Sequence, residues 1–388
     1  MTGPETLDIA IVGGGPVGLF LACLLAGKGL SVQVFEARSA VSPHSRAIGI
    51  HPPALELFDA LELAPALIAE GVKVPGGVLR GRNGELLGEL SLEGVSKRYP
   101  FVLALPQART ETLLARRLCE LAPGTLRRGV RVGQAQQCGD QVQLTLHPEN
   151  GPPESVQARF VVAADGSRSA LRAMLGVEYP GKTYADTYLM GDFPDTTVYG
   201  SRALIQLSAG GVVESFPLPG GRRRWVARTD RLLPDATAAD LTKLLHQRTG
   251  QYVPAAECSM LSAFETRRHA ADEVVQGRVA FIGDAAHQVS PIGGQGMTLG
   301  WCDAAALSPL LENILSGTSS LDSLAQFGRT RLKAARRAAA QAELNMWAGR
   351  PAAGLPGWAR SALLRALLAS PAAPTLARLF TMRWAAPA

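Results

Sequence analysis

Residues 8–38, DIAIVGGGPVGLFLACLLAGKGLSVQVFEAR, decide the fold. The β-type apolar run Ile9 to Val12 stops at three glycines, a helical apolar stretch follows from Val17 to Ala26, and Gly27 and Gly29 end it. A second β run, Ser31 to Phe35, closes on the acid Glu36. Gly13, Gly15 and Gly18 fit GxGxxG: the first permits a tight turn, the second lets a pyrophosphate approach the backbone, and the third lets helix and sheet pack closely. Pro16 suits the first helical turn, whose free N–H groups and positive dipole end favour phosphate. Glu36 stands where a carboxylate accepts hydrogen bonds from a ribose diol. This order predicts a dinucleotide site, and the ribose of NAD and that of FAD both fit it.

With 388 residues the chain exceeds the usual single domain, and 47% hydrophobic against 19% charged residues describes a globular protein. No apolar run is long enough to span a bilayer. The N-terminus enters a strand without a basic, cleavable leader, which predicts no signal peptide. Five scattered cysteines without CxxC spacing predict reduced thiols in a cytoplasmic protein and neither a disulfide framework nor a metal site. The charge of +6 is uneven, because ten Lys and Arg stand against the single acid Glu343 from Arg329 onward. No nucleic-acid motif accompanies this basic tail, so nucleic acid is not an expected partner. Leu355, Trp358, Leu363, Leu364, Leu367 and Leu368 alternate with Arg360 and Arg365. That pattern suits packing on the rest of the protein or on a dimer partner, and it is compatible with weak peripheral membrane contact. Monomer and homodimer both remain open.

The loop after Glu36 carries His44 and Arg46, and Arg46 is a candidate cofactor contact; His44 and His51 read as structural or loop-surface residues. Asn83-Gly84 marks a hairpin within Val74 to Arg98 that interrupts the α/β pattern and belongs to a different sheet. In VLALPQARTETLLARRLCELA a strand leads into an amphipathic helix, with Gln107 at the turn able to reach a cofactor edge. Strand Phe160 to Ala164, turn Asp165-Gly166 and helix Ser169 to Leu175 repeat the opening theme. Aromatic and β-branched residues from Tyr179 to Phe264 predict an antiparallel sheet in which Tyr184, Tyr188, Tyr199 and Trp225 are pocket or core candidates. Arg222-Arg223-Arg224 after Pro219-Gly220-Gly221 read as an exposed turn. Finally, GRVAFIGDAAHQVSPIGGQGMTLGWCDAAAL gives strand Val279 to Ile282, Gly283-Asp284 where a ligand crevice is expected, a loop Pro291 to Gly296, and a helix from near Met297. The loop presents backbone N–H groups at a helix start. His287 reads as structural.

Three segments, GGGPVGLFLACLLAGKGLSVQVFEA, AADGSRSALR and GDAAHQVSPIGGQGMTLGWCDAAAL, together resemble the FAD-dependent aromatic hydroxylases, the class A flavoprotein monooxygenases of p-hydroxybenzoate hydroxylase type, over about residues 8 to 310. The resemblance implies an α/β FAD-binding domain of Rossmann-like, glutathione-reductase-type fold, an inserted antiparallel β substrate domain and C-terminal helices. Residues 1–73, 99–178 and 269–328 would bind FAD, 74–98 and 179–268 would hold substrate, and 329–388 would form the helical tail. It implies that Gly13, Gly15, Gly18 and Glu36 hold the ADP half of FAD. Asp165 and Gly166 would lie near the pyrophosphate and the nicotinamide route, and Gly283-Asp284 at the ribityl or pyrophosphate oxygens. Gly294, Gln295, Gly296 and Met297 would approach the isoalloxazine, and Gln107 and Arg46 fall where the family has cofactor contacts. Thr298 departs from the Asn that many members carry.

The implied chemistry is hydride transfer from NADPH or NADH to FAD, then transfer of oxygen from O2 through a flavin hydroperoxide to an electron-rich, lipophilic phenolic or polyketide-like ring. No catalytic side chain is carried over by the motifs. The alternatives on the same fold are a flavin halogenase, whose WxWxIP signature is absent around Trp225, an isoprenoid-type reductase, and a non-catalytic flavin-binding protein.

Overall fold

The computed structural model describes residues 6–41, 47–352 and 354–385, and its first sheet grows from the glycine-rich stretch. Strand Leu7–Val12 lies between Val32–Glu36 and Glu154–Ala163, parallel to both. The parallel order continues outward to Leu126–Arg128 on one side and Val279–Phe281 on the other. Runs of Ile, Val and Ala form these strands because both faces are covered, so no polar alternation is needed. Helices Pro16–Ala26, Pro52–Asp59 and Gln295–Leu315 share one core, where Phe20, Phe58 and Trp301 meet edge to face with centroids 5.0 and 4.9 Å apart. On the opposite face, Val132 and Leu144 of the hairpin Val130–Cys138/Gln141–Pro148 join Val12, Phe35 and Val161.

Two glycines set the geometry of the opening turn. Gly13 has φ +109°, and a Cβ there would stand 2.4 Å from the Ala164 carbonyl oxygen. A Cβ on Gly18 would stand 2.0 Å from the carbonyl oxygen of Gly13. Side chains at these two positions would push the helix off the strands, so the first and third motif glycines are packing requirements.

The second sheet is antiparallel through most of its width, in the order His287–Gln288, Met260–Ala270, Gly181–Pro194, Arg222–Thr229, Gly211–Leu218, Ala203–Ser208, Gly76–Arg80, Leu86–Ser91. The last two strands are the hairpin expected around Asn83-Gly84, and Gly76–Arg80 joins this sheet by pairing with Ala203–Ser208. Helix Ala238–Thr249, opened by a Thr237/Asp240 capping box and closed by left-handed Gly250, covers one face. Trp225, Tyr199 and Phe193 pack beneath it with Leu241 and Leu245. The other face carries Tyr188, Met190, Val226 and Phe264, and meets Ile292 and Met346. A small third sheet of Gly49–Ile50, Val102–Ala104 and Val72–Val74 packs on the second through Val74 and Ala104 against Ala203 and Phe216.

Helix Asp322–Gly349 runs unbroken across the boundary expected at 328/329, and Gly354–Leu368 and Ala373–Phe380 follow it. The tail packs on the protein: Ala335, Ala338 and Met382 share a core with Leu299 and Cys302. Leu355, Trp358 and Leu363 stay exposed. Among the described residues no helix is long and apolar enough to cross a membrane, and no cluster of His, Cys, Asp or Glu is suited to a metal.

The arginine triplet requires a correction. Arg222–Arg224 open a strand, with Arg223 fully buried and Arg224 3% exposed. Arg223 donates to Asp195 at 3.0 Å, and Arg224 makes two bonds to Asp192 at 2.7 and 2.8 Å. The sequence suggested exposure because neighbouring arginines follow a glycine turn. Partner acids on the adjacent strand and loop neutralise them instead.

Candidate active site

The C-terminal ends of the first sheet's strands open onto a cleft of about 580 Å3. Its lining includes Gly13, Gly15, Pro16, Glu36, Gln107, Asp165, Gly166, Gly283, Asp284, Gly296 and Met297, which come from segments far apart in sequence. Gly18 lies behind this wall against Gly13. Gly294 and Gln295 begin the helix next to the cleft, with Gly294 in the left-handed region at φ +67°. The candidate Arg46, like His44, lies outside the described residues.

Glu36 is held in place by the turn it serves. Its Oε2 accepts the Gly14 N–H at 2.7 Å, and its Oε1 accepts both the backbone and side-chain N–H of Arg38 at 2.9 Å. Burial alone would raise this carboxyl, but the Arg38 and Gly14 hydrogen bonds outweigh it and hold the group below its ordinary value. A carboxylate with two oxygens retains lone pairs for a diol. Gln107 donates to buried Glu111 at 2.7 Å. Asp165 caps the following turn, accepting the Ala170 N–H at 2.8 Å through one oxygen, while its buried Oδ1 has no protein partner. The amide of fully buried Gln295 has no partner at either end.

A second group of residues, of which sequence reasoning did not find Asp303 and Arg331, braces the segments that line the cleft. Asp303 Oδ2 accepts the Gly283 N–H at 3.0 Å and faces His287 Nε2 at 2.7 Å, while Oδ1 accepts Arg331 Nε at 2.5 Å. His287 therefore has the structural place expected for it. His51 is structural and buried, not on a loop surface: its ring meets the Gly293 carbonyl at 3.1 Å, and burial lowers its pKa to about 4, so it stays neutral. The hydroxyl of Thr298 accepts the backbone N–H of His51 at 3.4 Å, so this side chain braces the His51 segment. Spacing along the chain gave no sign of these partners, which lie 16 to 247 positions away.

These features fit FAD. The space at Gly15 is open, with nothing within 4 Å of the point a Cβ would occupy. The partnerless Asp165 oxygen lies in the cleft wall, the partnerless Gln295 amide opens the adjoining helix, and the N-terminus of Pro16–Ala26, whose free N–H groups suit a phosphate, opens at Gly15. A family model described as an FAD binding domain matches residues 6–342. The chain belongs to the FAD-dependent aromatic monooxygenases. It is 31% identical to para-nitrophenol 4-monooxygenase of Pseudomonas sp. strain WBC-3, over 85% of this chain and 84% of that one. It is 33% identical to anhydrotetracycline monooxygenase of Streptomyces rimosus over 80% of its length, spanning 64% of that longer relative. The crystal structure of p-nitrophenol 4-monooxygenase from Pseudomonas putida DLL-E4 superposes with a TM-score of 0.85 at 25% identity, covering 98% of this chain and 97% of that one.

In this monooxygenase the four aromatic candidates divide between the faces of the second sheet. Tyr199 and Trp225 are ordinary core beneath helix Ala238–Thr249, whereas Tyr188 and part-buried Tyr184 belong to the face toward Ile292. Glu214 shares that second face, as its register with Ile205 and Val226 dictates. Burial raises its carboxyl from 4.5 to about 7. Between those values the folded protein keeps a proton that the unfolded chain releases, so this contribution to stability is full below pH 4.5 and is lost as pH rises through 7. Glu214→Gln is therefore expected to stabilise the FAD-saturated protein by about 1–3 kcal/mol at pH 8 and hardly at pH 5; solvent reaching the carboxylate sets the lower figure. Urea unfolding at the two pH values measures this, and equal differences at both would contradict it.

Proposed function

We propose that this chain hydroxylates an electron-rich, lipophilic aromatic ring, using FAD, O2 and NADPH or NADH. The observation that carries the reading is one shared loop. Ile292 closes the apolar face of the second sheet, while Gly296 and Met297, a few residues on, line the cleft. A ring held on that face would lie beside whatever occupies the cleft at Met297. The names of relatives acting on para-nitrophenol and anhydrotetracycline support an aromatic substrate.

In this reading the first sheet, with segments 1–73, 99–178 and 269–328, carries FAD, and segments 74–98 and 179–268 carry the substrate. Gly13, Gly15 and Pro16 receive the pyrophosphate, Glu36 the ribose, and Gly283 and Asp284 meet ribityl or pyrophosphate oxygens. Gly294 to Met297 receive the isoalloxazine, with Gln107 at a cofactor edge and Asp165 and Gly166 near the pyrophosphate and the nicotinamide route. Bound FAD supplies hydride acceptance and oxygen activation. The protein's work is to orient the ring, exclude water and remove the ring's hydroxyl proton. Lipophilic rings are favoured over small benzoates because a buried carboxylate needs a cation. Arg223, Arg224 and Arg228 already serve acids, and Arg222 donates to the carbonyls of Asp192 and Glu257. A cytoplasmic location, where NAD(P)H is available and the five thiols stay reduced, accords with the reading.

The test is to add phenols and polycyclic phenols to the yellow protein and follow NAD(P)H oxidation and product mass under isotopically labelled O2. Phenols are expected to accelerate oxidation several-fold and to yield a product carrying one labelled oxygen atom. Acceleration without incorporation across the panel would favour a reductase, and no acceleration would favour a flavin-binding protein without turnover.

A further inference from the structure

The substrate face of the second sheet carries one acid that the fold does not use. Cross-strand register places Ile205, Glu214, Val226 and Met190 in a single row on the same side. Three of the four are apolar, and the fourth is a carboxylate. Among the described residues, neither a hydrogen bond nor an ion pair reaches the Glu214 side chain. Its neighbours on this face explain why. Tyr188, one step along the sheet, has a buried hydroxyl with no partner, and Glu214 is its strongest charged neighbour.

The cations nearby are committed. Arg228 serves Asp186 and Asp230, Arg350 at the end of the long helix serves Asp186, and Arg224 serves Asp192. From the covering elements come Ile292, Met346 and Leu364, all uncharged. Tyr184 donates to Glu343, which Lys182 and Arg268 also approach. On the same tail helix as Leu364, Arg360 and Arg365 donate to the backbone carbonyls of Arg350 and Leu86.

An unpaired carboxylate on an apolar surface is costly and persists in a structure when function retains it. Resting on the aromatic-hydroxylase reading above, we propose that Glu214 is the catalytic base of this enzyme, taking the proton of the substrate's ring hydroxyl while Tyr188 donates a hydrogen bond to the same ring oxygen. The substrate O–H bond breaks, an O–H bond forms on the Glu214 carboxylate, and the electron pair left on the ring oxygen enriches the ring that receives oxygen. No further reactant is required for this step. A carboxyl that titrates near neutrality is matched to such a proton transfer at working pH. The same charge selects the substrate class: a neutral phenol gains an acceptor, whereas a benzoate brings a second negative charge to an apolar site.

The FAD-loaded wild type, Glu214→Gln and Glu214→Asp are compared with phenol and 2-naphthol, whose hydroxyls stay protonated well above pH 7, and with 4-hydroxybenzoate. Readouts are the flavin-absorbance change on binding and the pH profile of kcat/KM. For Glu214→Gln we expect normal FAD content, a loss of about 100-fold in kcat/KM for the phenols, within the range general-base removal gives, and disappearance of the rising limb near pH 7. Binding of 4-hydroxybenzoate improves relative to the phenols, and Glu214→Asp restores the limb in part. An FAD-replete Glu214→Gln enzyme that retains the wild-type pH profile and phenol preference overturns the assignment while leaving the hydroxylase reading intact. If no phenol perturbs or turns over the wild-type enzyme, the hydroxylase reading fails first and this assignment with it.

Discussion

Gly15→Val is expected to give a folded, colourless protein. A Cβ at Gly15 meets nothing within 4 Å, so the protein alone has room for the isopropyl group. That room belongs to the cleft, which Pro16, Asp165 and Asp284 also line. The valine side chain would fill the space a pyrophosphate needs to reach the helix N–H groups. Weakening of FAD binding by at least about 100-fold, roughly 2.7 kcal/mol, is expected. The melting temperature of the apoprotein should stay within about 2 °C of the wild type, since the change is below 0.5 kcal/mol where nothing is displaced. Gly18→Ala provides the contrast, because its methyl would meet the Gly13 carbonyl oxygen at 2.0 Å and the fold itself should suffer. Flavin absorbance per protein and thermal unfolding distinguish the two, and a Gly15→Val protein carrying stoichiometric FAD would remove the pyrophosphate from this turn.

Much of the first sheet could be read from the sequence because its instructions are local. The run Ile9 to Val12, the glycines at 13, 15 and 18, and Glu36 act within one βαβ unit, and the observed strands and helix begin and end within two residues of those expected. The same locality placed Gln107, Asp165, Gly283 and Asp284 at the ends of their strands or at the helix starts that follow, where they line one cleft. What was not legible depends on pairings between distant segments. The arginine triplet was misread because its partners Asp192 and Asp195 lie about 30 positions away, on a strand and at its end, and alternation alone did not reveal them. Tyr188 and Trp225 look alike as strand aromatics, but strand register sends them to opposite faces of the sheet. Glu214 sits in a strand of hydrophobic and small residues, and nothing in that segment tells which face the acid takes until the neighbouring strands are in register.

Asp303→Asn is expected to destabilise the protein by about 3–5 kcal/mol, the cost of stranding a buried charge. Asp303 is 1% exposed and Arg331 8% exposed, so water cannot take over the lost interaction. Asparagine keeps one acceptor oxygen, which cannot serve the Gly283 N–H and the Arg331 guanidinium at once, and its amide nitrogen, itself a donor, would face whichever of the two is left. Burial pushes the Asp303 carboxyl up, but the charges and hydrogen bonds of His287 and Arg331 more than reverse this and hold it below its ordinary value of 3.8. A depressed folded-state pKa stabilises above the unfolded value and is lost as pH falls through the folded one, so the deficit of Asp303→Asn should be full at pH 7 and shrink below about pH 4. The network also spans two functions. Asp303 stands on the helix that begins at Gln295, Arg331 on the tail helix, and Gly283 in the turn that carries Asp284 into the cleft. Loosening that turn should weaken FAD binding about tenfold, the loss of one hydrogen bond to a charged group. Combining Asp303→Leu with Arg331→Met removes both charges and should recover much of the stability, yet it leaves the Gly283 N–H without an acceptor and FAD binding still weakened. Urea unfolding at pH 7 and flavin titration separate the two effects: a single variant within about 1 kcal/mol of wild type would show that the ion pair is not what holds this turn, and a double variant with full FAD affinity would show that the turn does not depend on Asp303.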